Sequence, residues 1–469
     1  MSAIPYTPRN PSASVLYAVV RDHLETFCAD ARRQRDGEGL PRFVDQEFRS
    51  FLQCGFLAGG FARFRCGDCR EERLVAFSCK GRGFCPRCGG RRMAERAAHL
   101  VDRVLPDVPV RQWVLTLPHR LRYVLAWRHD LCRVVVRVLH RAIERHLRGW
   151  ARRHGLHDAR GGGVAVIQRF GGSVNLNVHV HALVLDGVFA RGATGHLAFH
   201  AAPPPSDTDV AEILATIVAG VHRRLSREGL DEDGAVDLIV DATPLLAGSA
   251  GVSLRRLAPD AGEAGRPTAA PPAACHAQWD GYDLHAGVRV AAGHRDRLER
   301  VCRYALRPAL AEERLARTSG GEVAVQLRRP WADGTLALVF TPTVFLARLA
   351  LLVPRPRVNL LLYHGVLAPR AAWRSEVVPP RGLDAAGTRR SETADARRGG
   401  RGWRWADLMR RVFAVDVLAC PRCGGRLRLL ATLAESETTR RILRHLGLPI
   451  EVPPPAPPRA PPGLDDWAA

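Results

Sequence analysis

The sequence predicts an α+β protein: a helical, cysteine-rich N-terminal module, then an antiparallel sheet flanked by helices. Three observations predict it. Two alternating runs, 164–170 and 175–186, are joined by Gly-Gly-Ser and read as a hairpin. Amphipathic stretches of helical period lie before and after them. Cysteines spaced Cys-x2-Cys gather in a glycine-rich stretch ahead of the sheet. The central order β-α-β-β-α-(β)-α then favours an antiparallel arrangement.

Along the chain, residues 12–50 read as helix, with Val15, Leu16, Val19, Val20, Leu24 and Phe27 at helical spacing. Residues 112–117 form a short strand stopped by Pro118. Residues 129–150 are a long basic amphipathic helix, and 208–229 return to helix. A strand at 236–240 follows, then an Ala-, Pro- and Gly-rich loop at 257–275. Residues 294–306 are a short Arg-rich helix ending before Pro308. Residues 322–342 form a hairpin turning at Asp333-Gly334. The domain reading is 12–95 for the N-terminal module, 105–375 for the sheet domain, 376–402 for a polar linker and 403–448 for a small Cys-x2-Cys module. A Pro-rich tail, 449–469, is expected to be disordered.

Charge narrows the partner. The 469 residues carry a net charge of +22 from 69 basic side chains, of which only Lys80 is lysine. A GC-rich genome would explain arginine over lysine, but not the excess of positive charge. An anionic partner is called for, and nucleic acid fits guanidinium groups that bind phosphate in bidentate fashion. No run of about 20 apolar residues predicts a membrane span, and the start lacks a secretory signal. A cytoplasmic protein is expected, so the 12 cysteines read as metal ligands and free thiols rather than disulfides.

Cys66, Cys69, Cys85 and Cys88 have the spacing of a four-cysteine zinc site of ribbon or knuckle type, closed and therefore structural. The segment Cys85-Pro-Arg-Cys-Gly-Gly90 recurs unchanged as Cys420-Pro-Arg-Cys-Gly-Gly425. The second copy lacks a partner pair. It reads as a decayed site, or as a half-site that Cys79, Cys54 or His445 completes.

His179-Val180-His181 lies in an alternating run. Strand period puts both imidazoles on one face, about 7 Å apart, as ready ligands for a divalent metal. Gln168 and Asn177 are candidates for a third ligand. A nucleophile candidate is Tyr304, one of six tyrosines. On the helix it shares a face with Arg297, Arg300 and Arg307. Arg300 and Arg307 would hold a phosphate against the phenol and lower its pKa.

These residues resemble a known order: a strand like 113–119, a His-hydrophobic-His strand, then a helical tyrosine, as in the HUH endonucleases. The blocks Phe77-Ser-Cys-Lys-Gly-Arg-Gly-Phe-Cys-Pro-Arg-Cys88, Arg303-Tyr-Ala-Leu-Arg-Pro308, Tyr363-His-Gly-Val-Leu-Ala-Pro369 and Val415-Asp-Val-Leu-Ala-Cys-Pro-Arg-Cys423 resemble the rolling-circle transposases of the insertion-sequence ninety-one family. The resemblance spans about 12–448. It implies an N-terminal zinc-binding domain and an HUH-type sheet. It also implies Mg²⁺ or Mn²⁺ held by His179 and His181, and a 5′-phosphotyrosine formed by Tyr304. The substrate implied is single-stranded DNA at element ends and target, in a nucleoid-associated prokaryotic protein. Many members carry two tyrosines in a Tyr-x3-Tyr arrangement. Here Arg300 takes the earlier place, so the chain resembles the single-tyrosine branch. The rival readings are a rolling-circle replication initiator and a non-catalytic zinc-ribbon DNA-binding protein derived from a transposase.

Overall fold

A computed structural model describes residues 10–34, 37–230, 275–378, 405–434 and 437–459, with backbone alone at 4–5 and 255–257. The expected strand at 236–240, residues 258–274, most of the 376–402 linker and residues 460–469 lie outside the described residues.

The centre is a six-stranded sheet, antiparallel throughout. Its spatial order is His276–Trp279, Tyr282–Val290, Val110–Thr116, Leu176–Leu185, Gly162–Phe170 and Leu361–Gly365. The His-Val-His strand is therefore interior. On one side Thr116 pairs with His179 and Val114 with His181. On the other, Gln168 pairs with His179 and Val166 with His181.

Alternation assigns the two faces. Val178, Val180, Ala182 and Val184 join Leu115, Ala165 and Ile167 in a core beneath the helices His129–Arg153 and Asp207–Arg227. Those helices supply Val136, Leu139, Ile143, Ile213 and Ile217 at helical spacing. Ser206 begins the second with a reciprocal capping box to Asp209. Val110, Val164, Leu183 and Leu185 form the other face, covered by Pro86–Arg103 and Arg295–Ala305. The strand ends are latched by charge. Buried Asp186 accepts from Arg111 Nε at 2.7 Å and Arg289 Nε at 2.7 Å, and Arg111 also donates to the Ala286 carbonyl.

Three expectations change. The stretch 12–50 is two helices, Val15–Arg33 and Arg42–Leu52. Gly37 and Gly39 break it at φ +95° and +67°, a region that costs other residues steric strain, and Pro41 opens the second helix. Nor does the cysteine module end before the sheet domain. The helix Pro86–Arg103 crosses the expected boundary and packs on the sheet face.

The 322–342 hairpin forms, Val323–Gln326 pairing with Ala337–Phe340. The C-terminal module is not separate, because Leu427–Ala434 adds to Gly60–Cys66, which pairs in turn with Glu72–Ala76. No helix among the described residues is long and apolar enough to cross a membrane.

Candidate active site and metal centres

The two imidazoles lie on the helix-covered face carrying Arg295–Ala305, with ring centroids 5.0 Å apart. Both are buried. Nδ1 of His179 donates to the Asn177 carbonyl at 2.8 Å, which leaves the Nε2 lone pair for a ligand. Burial lowers the pKa of His179. Burial, then His179 and Arg307, push His181 down to about 3. Both rings are neutral near pH 7, the form that ligates metals.

Gln112, on the neighbouring strand, has its side-chain amide 3.0 Å from Nδ1 of His181. An amide presents a donor or an acceptor according to its rotation. With Oε1 towards Nδ1–H, it fixes the tautomer whose Nε2 is free.

Leu298, Cys302 and Ala305 bury the inner side of the Arg295–Ala305 helix, while Tyr304 is 51% exposed. Its ring meets His181 edge-on, with centroids 5.7 Å apart. The helix end is set from the sheet: Gln168 Nε2 donates to the carbonyls of Ala305 at 2.6 Å and Tyr304 at 3.2 Å. These are terminal carbonyls that a helix leaves unsatisfied. Arg307 Cζ lies 5.3 Å from the Tyr304 ring centroid, and Arg307 Nε is buried with no partner. Burial, then Arg328, lowers the Arg307 pKa. Arg300 is exposed one turn before Tyr304.

Three buried polar atoms on this face lack hydrogen-bond partners: His181 Nε2, Gln168 Oε1 and Asn177 Oδ1. Leaving such atoms bare in a protein interior is costly. Nitrogen and neutral oxygen donors of this kind fit a divalent cation. Both expected third-ligand candidates thus keep an oxygen free, although the Gln168 nitrogen is committed to the tyrosine helix.

A cleft of about 480 Å³ opens beside this face, lined by Arg82, Arg92, Arg96, His99, Arg103 and Tyr363 among others. A second pocket continues from Arg82, Arg92 and Arg96 to Gln168 and Arg307. Tyr363 pairs with Val164 at the sheet edge, and burial raises its pKa.

The cysteines correct the expected zinc site. Cys66, Cys69, Cys85 and Cys88 do not converge. Cys85 and Cys88 join Cys54 and Cys79, while Cys66 and Cys69 join Cys420 and Cys423. In the first group Cys88 Sγ is 3.4 Å from Cys79 and 3.9 Å from Cys54, and Cys85 is 3.9 Å from Cys54. The spacing misled because Cys54 and Cys79 belong to no Cys-x2-Cys pair. They reach Cys85 and Cys88 from the loops that flank the 60–76 hairpin. Pro86 opens the helix right after Cys85, and Gly89 packs where a Cβ would lie 2.7 Å from Pro308. Cys85 and Cys88 of this group therefore sit at the start of the helix that backs the segment after Tyr304. Sequence reasoning also missed Gln112, a buried amide in an otherwise apolar-facing strand.

Two known family models match the chain. Residues 19–117 match the family model for the transposase zinc-binding domain of the IS91 type. Residues 162–375 match the Y2 transposase family model, a stretch that contains both histidines and Tyr304. No curated protein and no solved structure matches the chain. An N-terminal zinc-binding domain joined through a shared helix to a transposase domain places this chain in the insertion-sequence ninety-one family of transposases.

Proposed function

We propose that this transposase nicks and joins single-stranded DNA at its element ends through a 5′-phosphotyrosine on Tyr304, driving rolling-circle transposition. The observation that carries the reading is the exposed Tyr304 ring edge-on to His181, beside three buried ligand atoms that have no partner. His179 and His181, with Gln168 or Asn177, would hold Mg²⁺ or Mn²⁺. That ion supplies charge stabilisation at a phosphoryl oxygen.

The chain's own groups account for the rest. Arg307, with Arg300 one turn before Tyr304, offers guanidinium donors to the scissile phosphate. The Tyr304 oxygen attacks phosphorus and its proton passes to solvent. The P–O3′ bond breaks and the departing 3′ oxygen takes up a proton, giving a 5′-phosphotyrosine and a free 3′-OH. Reversal of these steps on another 3′-OH joins strands. The arginine cleft along Pro86–Arg103 suits the phosphates of a single strand, and the half-buried Tyr363 ring offers a surface for base stacking. The transposase match favours transposition over initiation of plasmid replication.

The test is a covalent adduct. Wild-type protein incubated with a single-stranded element end and Mn²⁺ should give a shifted band on denaturing electrophoresis, and Tyr304→Phe should give none. An adduct that persists in Tyr304→Phe refutes the nucleophile. Failure of the wild type on authentic ends favours a non-catalytic DNA-binding protein.

A further inference from the structure

The four thiols Cys66, Cys69, Cys420 and Cys423 come from opposite ends of the chain, yet all lie within 4.8 Å of one another. Cys66 and Cys423 Sγ are 3.6 Å apart, and Cys69 and Cys420 are 3.5 Å apart. Four sulfurs each about 2.3 Å from a zinc ion stand about 3.8 Å apart at the corners of a tetrahedron. Both Cys-x2-Cys turns are formed by the backbone. The Cys66 amide donates to the Glu71 carbonyl, the Cys420 amide donates to the Gly425 carbonyl, and the Gly425 amide donates to Cys423 Sγ. The turns meet where Cys66 pairs with Leu427 in the shared sheet. This is the layout of two zinc knuckles at the end of a ribbon, assembled from distant segments.

Apolar packing around the thiols is small, and a further tie at this end is the Leu427–Ala434 ladder on Gly60–Cys66. The apolar cluster is Cys66, Cys420 and Leu427 with a few half-buried neighbours, and Leu429 and Leu430 on the added strand stay exposed. A cluster this small gains much of its stability from a bound metal.

The segment so held reaches the tyrosine helix. Leu408, on the helix Trp405–Phe413, packs against Ala94 and Ala98. From the same helix Arg411 bonds two carboxylates. One is Asp102 at 2.6 Å, on the zinc-domain helix. The other is Glu299 at 2.6 Å, five residues before Tyr304 on its helix.

We infer that Cys66, Cys69, Cys420 and Cys423 bind a second zinc ion, which clasps the C-terminal segment onto the N-terminal sheet and through Arg411 steadies the Tyr304 helix. The clasp stands on the thiol geometry alone. Its effect on cleavage rests on the proposed role of Tyr304.

The test has a readout independent of cleavage. Purified full-length protein, denatured and treated with a mercurial, should release two zinc ions per chain. Cys420→Ser with Cys423→Ser should release one, and so should Cys54→Ser with Cys79→Ser. A chain with a protease site inserted after residue 390, once cut, should keep its C-terminal fragment during gel filtration. It should lose the fragment on chelation, or when Cys420 and Cys423 are replaced. The cut wild type with chelator gives the same reading if the cysteine variant fails to fold. One zinc in the wild type, or a fragment retained after chelation has removed both zincs, overturns the clasp. Arg411→Ala should keep two zincs and slow adduct formation. An unchanged rate would overturn the link to the Tyr304 helix while leaving the clasp intact.

Discussion

The imidazole of His181 stands perpendicular to the ring of Tyr304, at 89° with centroids 5.7 Å apart, although 123 positions separate them in sequence. The strand fixes the imidazole and Gln168, opposite His179, fixes the end of the tyrosine helix. The proposed ligand and the proposed nucleophile are thus referenced to the same pair of strands, and experiment can separate their roles. His179→Ala with His181→Ala should abolish adduct formation and leave single-stranded DNA binding within a few-fold of wild type. Tyr363→Phe should still form the adduct, because Tyr363 lies two strands from the His-Val-His strand. Loss of the band in Tyr363→Phe alone would move the nucleophile to Tyr363.

Gln112 acts on His181 rather than on substrate. Its amide lies against Nδ1; with its oxygen turned to Nδ1–H it would select the tautomer whose Nε2 faces the proposed cation. Removing such a partner costs on the order of 10–100-fold in metal affinity. Gln112→Leu should therefore raise the Mn²⁺ concentration for half-maximal cleavage by about that factor, while saturating metal restores most of the rate. A rate loss that saturating metal cannot restore would mean that Gln112 supports packing instead.

The sheet was legible because alternation is local. Val178, Val180 and Val184 against His179 and His181 separate the two faces of the strand, and the Gly-Gly-Ser turn fixes the hairpin. Tyr304 stood out as a candidate from the guanidinium groups at helical spacing around it. The grouping of the cysteines was not legible. Cys-x2-Cys spacing fixes which two thiols share a turn, not which two turns meet. Strand pairing of Leu427–Ala434 with Gly60–Cys66 decides that, a contact more than 350 residues long in sequence. Gln112 and Arg411 were hidden for the same reason, since their partners His181, Asp102 and Glu299 are near only once the sheet and its helices have assembled.

Asp186 should be a highly sensitive charged residue. Its side chain is 4% exposed and that of Arg111 is 3% exposed, so neither has water to fall back on. Removing one partner of a buried pair typically costs about 3–5 kcal/mol, because the other charge stays buried. Asp186→Ala should lower stability by about that amount in urea titration, whereas Asp158→Ala, an exposed partner of Arg160, should change it by less than about 1 kcal/mol. Equal small losses in both would show that the Arg111–Asp186–Arg289 latch does not hold the strands.

Acid should weaken the protein through His140. This residue is 6% exposed on the helix behind the sheet, and its ring stacks on His364 at 4.6 Å, with no partner for Nε2. Burial, then His364, pushes its pKa down to about 3, and burial pushes that of His364 to about 4. Glu144 is the facing carboxylate, 3.8 Å from Nδ1 of His140. Between pH 6.5 and these folded values the unfolded chain binds protons that the folded chain does not. Stability is therefore full above about pH 6.5 and is lost as pH falls towards 4. The limiting slope is about 1.4 kcal/mol per pH unit for one fully buried histidine. Replacing the ring by one that cannot titrate removes this contribution, so His140→Phe should flatten the pH 4.5–6.5 profile of the urea midpoint relative to wild type. A variant whose midpoint falls as steeply as that of the wild type over this range would assign the acid sensitivity to other groups.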